Sequence, residues 1–188
     1  MTVCHIIDVL GIAVVTVEVG LLVTKRAKSG RDIVSDDRSL TIIWKAVGIG
    51  LCATLFAKVL FPHPFFAGQR YEYGAAALVV AGMALRWYSI YYLGKQFTVN
   101  VAIIEGHRLV SNGPYRLIRH PSYTGLLMIF LGLGIHSNHM VGILALTLPV
   151  IWAIHYRIGI EEAAMSAFFG IEYKQYRAHT RKLIPYIY

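Results

Sequence analysis

A chain of 188 residues that is 56% hydrophobic and only 15% charged is too apolar for a soluble domain, which carries about 25% charged residues. Its mean hydropathy of +0.56 suits a molecule whose solvent is partly lipid. The net charge of +8 could suggest nucleic acid, but the basic residues lie in short stretches between long apolar runs and form no soluble basic face, which argues against that partner.

A helix crossing the hydrocarbon core needs about 20 mostly apolar residues. The runs at 3–24, 40–61 and 73–93 meet that length. The first lacks the basic start and small-residue cleavage site of a secretory signal, so it reads as a retained transmembrane helix. Runs at 121–135 and 140–156 are shorter and are separated only by His136, Ser137, Asn138 and His139. So short a break predicts an antiparallel helical hairpin. The expected fold is all-α, a polytopic transmembrane helical bundle of about five spans. Residues 1–93 supply three N-terminal transmembrane helices, and residues 94–188 carry a core of loop, hairpin and tail.

The segments 25–39 and 94–120, together with the tail after the fifth run, hold 14 of the 18 Lys and Arg residues. The opposite loop, 62–72, holds only Arg70, and the hairpin turn holds none. The positive-inside bias therefore predicts an N-terminus outside and a C-terminus in the cytoplasm. Trp44, Trp87, Tyr88, Tyr91, Tyr92, Trp152 and Tyr156 fall near the predicted cytoplasmic ends, as an aromatic belt would.

Polar chemistry concentrates in two pieces on that same side. In the first, Gly113-Pro114 marks a turn and Pro121 suits the first position of the fourth helix. Pro121 also biases His120 away from helical conformation. Arg119 and His120 beside a helix N-terminus would make a compact anion site. The plainer reading of Arg116, Arg119 and His120 is contact with lipid headgroups. In the second piece, His155, Gly159 and Glu162 share a helical face, and Arg157 and Glu161 are four residues apart. Glu161-Glu162 could face a cationic ligand or could simply be a solvated helix end.

These stretches carry a family likeness. Gly106-His107-Arg108-Leu109-Val110, Gly113-Pro114-Tyr115, Arg119-His120-Pro121-Ser122-Tyr123 and Gly125 resemble the isoprenylcysteine carboxyl methyltransferases, whose wider clan includes the phospholipid methyltransferases. The likeness extends to Leu93-Gly94, Thr98-Val99, Glu161-Glu162, Phe169-Gly170, Tyr173, Tyr176 and Leu183-Ile184-Pro185. Residues 1–90 match only in hydropathy. The resemblance implies an integral-membrane methyltransferase using S-adenosyl-L-methionine, held by the segment around 106–125 and the C-terminal piece. It implies cofactor contacts from His107, Leu109, Val110, Tyr115, His120 and Tyr123, with Arg119 or the fourth-helix N-terminus near the methionine carboxylate. Glu162 or Glu161 would be the acid nearest the cofactor, and Arg157 would orient an acceptor carboxylate. The acceptor would be a prenylated or other lipophilic molecule entering from the bilayer, among membrane lipids.

A carboxylate acceptor is already ionised at neutral pH, whereas an amine acceptor must lose a proton that Glu161 or Glu162 could take. The alternatives are thus a phospholipid or small-lipophile amine N-methyltransferase, a sterol-reductase-like NADPH enzyme and a non-catalytic scaffold. Among the other residues, Lys45 and Lys58 are expected to snorkel, Arg86 could line a substrate cavity, and Glu18 has no assigned role. Asp8 reaches the outer interface, and Gly125 and Gly132 suggest close helix packing. Cys4 and Cys52 read as apolar fillers. His136 and His139, on the outer side with no acid or cysteine nearby, read as surface residues, and no metal site is expected. Nothing in the pattern specifies an oligomeric state.

Overall fold

The computed structural model describes residues 3–24, 32–36, 38–60, 64–104 and 106–188. Its helices are α1 (Val3–Thr24), α2 (Arg38–Leu60), α3 (Arg70–Leu93), α4 (Pro121–His136), α5 (Met140–Phe169) and α6 (Ile171–His179). Four of them, α1, α2, α3 and α5, are long and apolar enough to cross a membrane. The fourth predicted span, α4, is an apolar helix of only 16 residues. The basic residues Lys25, Arg26, Lys28 and Arg31 lie outside the described residues.

Two features go beyond the sequence reading. A short antiparallel ribbon pairs β1 (Asp32–Asp36) with β2 (Val101–Ile104), with Asp36 opposite Val101. Helix α5 continues beyond the apolar run that ends near Tyr156 and beyond the helical stretch expected up to Glu162, and reaches Phe169. Glu161 and Glu162 therefore sit within a helix and not at its solvated end.

The chain alternates across the bundle. At one end the α2–α3 loop meets the α4–α5 turn, where the Phe65 amide donates to the Asn138 carbonyl at 3.0 Å and the Phe66 amide to Asn138 Oδ1 at 2.7 Å. The opposite end gathers β2, the 106–120 segment, the start of α4, the end of α5, and α6. Helix α4 packs between α3 and α5, and α2 packs on α5. The α3–α4 contact depends on glycine: a Cβ at Gly125 would lie 2.6 Å from the Gly82 carbonyl oxygen, and one at Gly132 would lie 2.8 Å from that of Ala75. Small residues let the backbones approach so closely.

The main core joins Ile43 and Val47 of α2, Leu126 and Phe130 of α4, and Val150, Ile154 and Ile158 of α5. A second cluster joins Val14, Val79, Met83 and Ile129. The outward faces stay apolar, with Ile12, Val23, Phe56, Val59, Leu148 and Trp152 exposed, as expected where lipid is the solvent. Helix α1 buries only Ile7 and Val14.

Candidate functional site

Local chain geometry shapes the site first. Gly113 takes φ +57°, and a Cβ there would sit 2.5 Å from the Tyr92 ring, so the turn before Tyr115 requires glycine. Pro121 occupies the first turn of α4, and His120, at φ −125° and ψ 55°, lies outside the helix as expected. The tail then clamps this segment. The Arg119 amide donates to the Arg181 carbonyl at 2.8 Å, the His120 amide to the Lys182 carbonyl at 3.0 Å, and Thr124 Oγ1 to the Leu183 carbonyl at 2.7 Å. These bonds give the closing Leu183 stretch its structural purpose.

Behind the clamp lies a cleft with about 890 Å³ of non-atom space, including its open part. That is within the range of a small-molecule site. Nine of the ten predicted site residues line it: His107, Leu109, Val110, Tyr115, Arg119, His120, Tyr123, Arg157 and Glu161. Glu162 does not.

Glu162 is instead buried behind the wall. Arg119 Nε donates to its Oε1 at 2.7 Å, and His120 Nε2 lies 3.4 Å from the same atom. Arg119 Nη1 also donates to the Thr180 carbonyl at 2.6 Å. The α4 N-terminus is likewise engaged, because the Tyr123 and Thr124 amides bond back to the His120 carbonyl at 3.0 and 3.1 Å. The expected open anion site of Arg119 and free helix amides is thus largely closed by internal partners. Arg108, exposed and on the same wall, is the cation left at the rim.

Glu161 faces the cleft through a relay that crosses the α4–α5 hairpin. Arg157 Nε donates to the Tyr123 hydroxyl at 2.7 Å, which donates to Glu161 Oε2 at 2.8 Å. Arg157 and Glu161, four residues apart, are therefore linked through a residue of another helix. Arg157 Nη1 donates to Ser39 Oγ at 3.0 Å, and Nη2 donates to the Val99 carbonyl. Three of its five N–H donors are engaged, and two have no partner among the described residues. Arg157 is 3% exposed and Arg119 9%; both were counted as topology-setting charges, yet they are buried in the site. The His120 ring stacks on Tyr123, centroids 5.6 Å apart.

His107 Nδ1 is buried without a hydrogen-bond partner in this cleft, an orphan of the kind a ligand satisfies. Burial holds the His107 imidazole below its ordinary pKa of 6.5, and the Glu161 carboxylate opposes that shift. Burial, with the Glu161 charge second, pushes the Tyr115 hydroxyl far upward. Sequence reasoning missed Gln96, Phe97, Asn100, Val101, Ile103 and Met165 on the same wall. Thr98-Val99 was the only hint of that strand, and it came from the family likeness.

A second cavity, with about 590 Å³ of non-atom space including its open part, is lined by Leu22, Leu40, Ile43, Trp44, Leu126 and Phe130, together with Glu18 and Arg86. The two cavities share Phe97, Thr98, Tyr123 and Arg157. Arg86 lines the apolar cavity, as considered from sequence, and Glu18 beside it gains a role as its partner. Arg86 Nη2 donates to Glu18 Oε2 at 2.6 Å and Nη1 to Ser122 Oγ at 2.8 Å.

A lipid-facing helical bundle with a polar cleft at one end is the setting in which the chain's kinship becomes informative. A family-wide sequence model described as phospholipid methyltransferase matches residues 71–172, from the start of α3 into α6. The chain belongs to that family, in its isoprenylcysteine methyltransferase branch. It is 34% identical over 159 residues to the protein-S-isoprenylcysteine O-methyltransferase of Schizosaccharomyces pombe, covering 77% of this chain and 67% of that one. It is 31% identical over 119 residues to a probable protein-S-isoprenylcysteine O-methyltransferase of Oryza sativa subsp. indica, and spans only 62% of that relative's length. A solved structure of the eukaryotic intramembrane Ras methyltransferase, isoprenylcysteine carboxyl methyltransferase, superposes with a TM-score of 0.61 at 25% identity, over 82% of this chain and 55% of that one.

Proposed function

We propose that this chain is an integral-membrane, S-adenosyl-L-methionine-dependent methyltransferase that methylates the carboxylate of an isoprenylcysteine-like or other lipophilic acceptor. The observation that carries the reading is the meeting of two unlike cavities at Tyr123 and Arg157. One brings Glu161, Arg108 and His107 to a charged cofactor; the other is lined mostly by apolar side chains of α1, α2 and α4.

The cleft suits the cofactor's mixed charge. Leu109, Val110, Val101 and Met165 offer apolar wall to a purine, and His107 Nδ1 is an unpaired polar atom beside them. Glu161 brings a carboxylate for the cationic portion, and Arg108 a guanidinium for the carboxylate. When bound, S-adenosyl-L-methionine supplies an electrophilic methyl group on a sulfonium. The protein's own contribution is alignment of the acceptor and exclusion of water. Arg157, with two N–H donors at the junction that have no partner among the described residues, is suited to hold and orient an anionic oxygen. A carboxylate acceptor is ionised at neutral pH, so no general base is required. A buried cation at the junction favours that acceptor over an amine, which would meet like charge. The active site lies at the predicted cytoplasmic end.

Calorimetric titration of the detergent-solubilised protein with S-adenosylhomocysteine tests the cofactor, and absence of binding at millimolar ligand removes the proposal. Lipid extracts incubated with methyl-labelled cofactor then identify the acceptor. Base-labile label marks a methyl ester; base-stable label marks N-methylation and replaces the carboxylate reading with the phospholipid-amine one.

A further inference from the structure

At the end of the bundle opposite the methyl-transfer cleft, the structure brings together three residues that the sequence keeps far apart. Cys4 and Asp8 lie one turn apart on the same face of α1, and His136 is the last residue of α4. Cys4 Sγ, a carboxylate oxygen of Asp8 and a ring nitrogen of His136 all lie within 4.8 Å of one another. His136 Nε2 is 3.1 Å from Asp8 Oδ1. The expectation that the turn histidines have no acid or cysteine beside them is therefore wrong for His136. The reason is tertiary: α1 runs back along α4, and the sequence separation of 128 residues hid the contact.

We propose that Cys4, Asp8 and His136 form a site for a thiophilic divalent cation of the zinc class, distinct from the methyl-transfer cleft. The donor set is one thiolate, one carboxylate and one imidazole, a combination that suits a borderline-soft ion in tetrahedral coordination. Ligand atoms around such an ion sit about 3.3–3.7 Å from one another, given bond lengths of about 2.0–2.3 Å. The present spread, up to 4.8 Å, is wider than that, so binding requires the three side chains to draw together. Two of the ligands are preorganised by the α1 helix itself. The Asp8 side chain is 58% exposed, which leaves a path for the ion and room for water as the fourth ligand.

The electrostatic setting also attracts a cation. Asp8 itself and Glu72 in the first turn of α3 place negative charge near the cluster, with Lys58 the opposing charge. Without an ion, the cluster is held by an exposed Asp–His contact, which contributes little to stability. With one, α1 is cross-linked to the α4–α5 hairpin. That matters because α1 is the least embedded helix and forms one wall of the apolar cavity. Binding requires loss of the Cys4 thiol proton, so each ion bound releases a proton to solvent.

Cobalt(II) titration of the full-length protein in detergent tests the site directly, because a cobalt–thiolate bond produces a charge-transfer band. The expected result is one Co2+ per chain, bleached by Zn2+, with the band retained in Cys52→Ala and absent in Cys4→Ala. Asp8→Asn should weaken Co2+ binding by at least about tenfold, no less than the loss of an outer-shell partner elsewhere. Zn2+ should also raise the melting temperature of the wild type and not that of Cys4→Ala. No band in the wild type, or a band that survives Cys4→Ala, overturns the proposal. Should Cys4→Ala fail to fold, His136→Gln decides instead: it keeps both α1 ligands, and unchanged Co2+ affinity in it overturns the site equally.

Discussion

Glu161 and Glu162 are adjacent in sequence and opposite in circumstance. Glu161 is one-third exposed on the cleft wall and accepts a bond from Tyr123, whereas Glu162 is 8% exposed and neutralises Arg119. Removing one member of a buried pair leaves an uncompensated charge and costs about 3–5 kcal/mol. Glu162→Gln is therefore expected to lower the melting temperature strongly, with activity falling as the fold is lost. Glu161→Gln should leave the melting temperature near that of the wild type and lower methyl transfer at least about tenfold. Thermal unfolding and turnover of the two variants side by side check this; equal behaviour would sink the division of roles. His107 adds a pH signature. Its folded pKa is depressed, so between the folded and unfolded values the unfolded chain binds more protons and stability rises with pH. The His107 contribution should be complete above pH 6.5 and shrink as pH falls below it. Melting curves of the wild type minus those of His107→Gln should show that loss on the acid side only.

At the scale of elements, α1 is held by few contacts, and one of them is ionic. Glu18 on α1 and Arg86 on α3 form a two-point pair whose side chains are 15% and 7% exposed. Arg86 also reaches Ser122 in the first turn of α4, next to the Tyr123 relay. Each single change, Glu18→Leu or Arg86→Met, should destabilise by about 3 kcal/mol or more by stranding the partner, and the double variant should recover much of that loss. Unfolding midpoints of the four proteins form the cycle. Additive losses would mean that the pair is incidental. The length of α5 is the element the sequence hid best, because its last turns are polar only in patches and continue past the apolar run that ends near Tyr156.

For the molecule as a whole, the two cavities occupy the end that holds the 106–120 segment and the basic tail, and the proposed metal site occupies the other. The charge bias predicts that single cysteines introduced at Ser137 or Asn138, in a Cys4→Ala/Cys52→Ala background, react with a membrane-impermeant thiol reagent from outside intact cells. One placed at Lys174 should react only after permeabilisation. The reverse pattern would invert the proposed orientation.

Hydropathy and charge spacing alone determined the helical membrane class and the α4–α5 hairpin, and the family likeness pointed to much of the chain that lines the cleft. Lipid selects long apolar helices whatever their partners, and Pro121 acts on its immediate neighbours. His120 was legible for the same local reason, and Tyr123 through the family likeness of the motif that contains it. The pairing of Arg119 with Glu162, the Tyr123 relay, the β2 wall, the Glu18–Arg86 pair and the gathering of Cys4, Asp8 and His136 were decided only by the tertiary structure. These contacts between elements join residues 34 to 132 apart in sequence, and a sequence read for periodicity records which face a residue is on but not which helix lies against it.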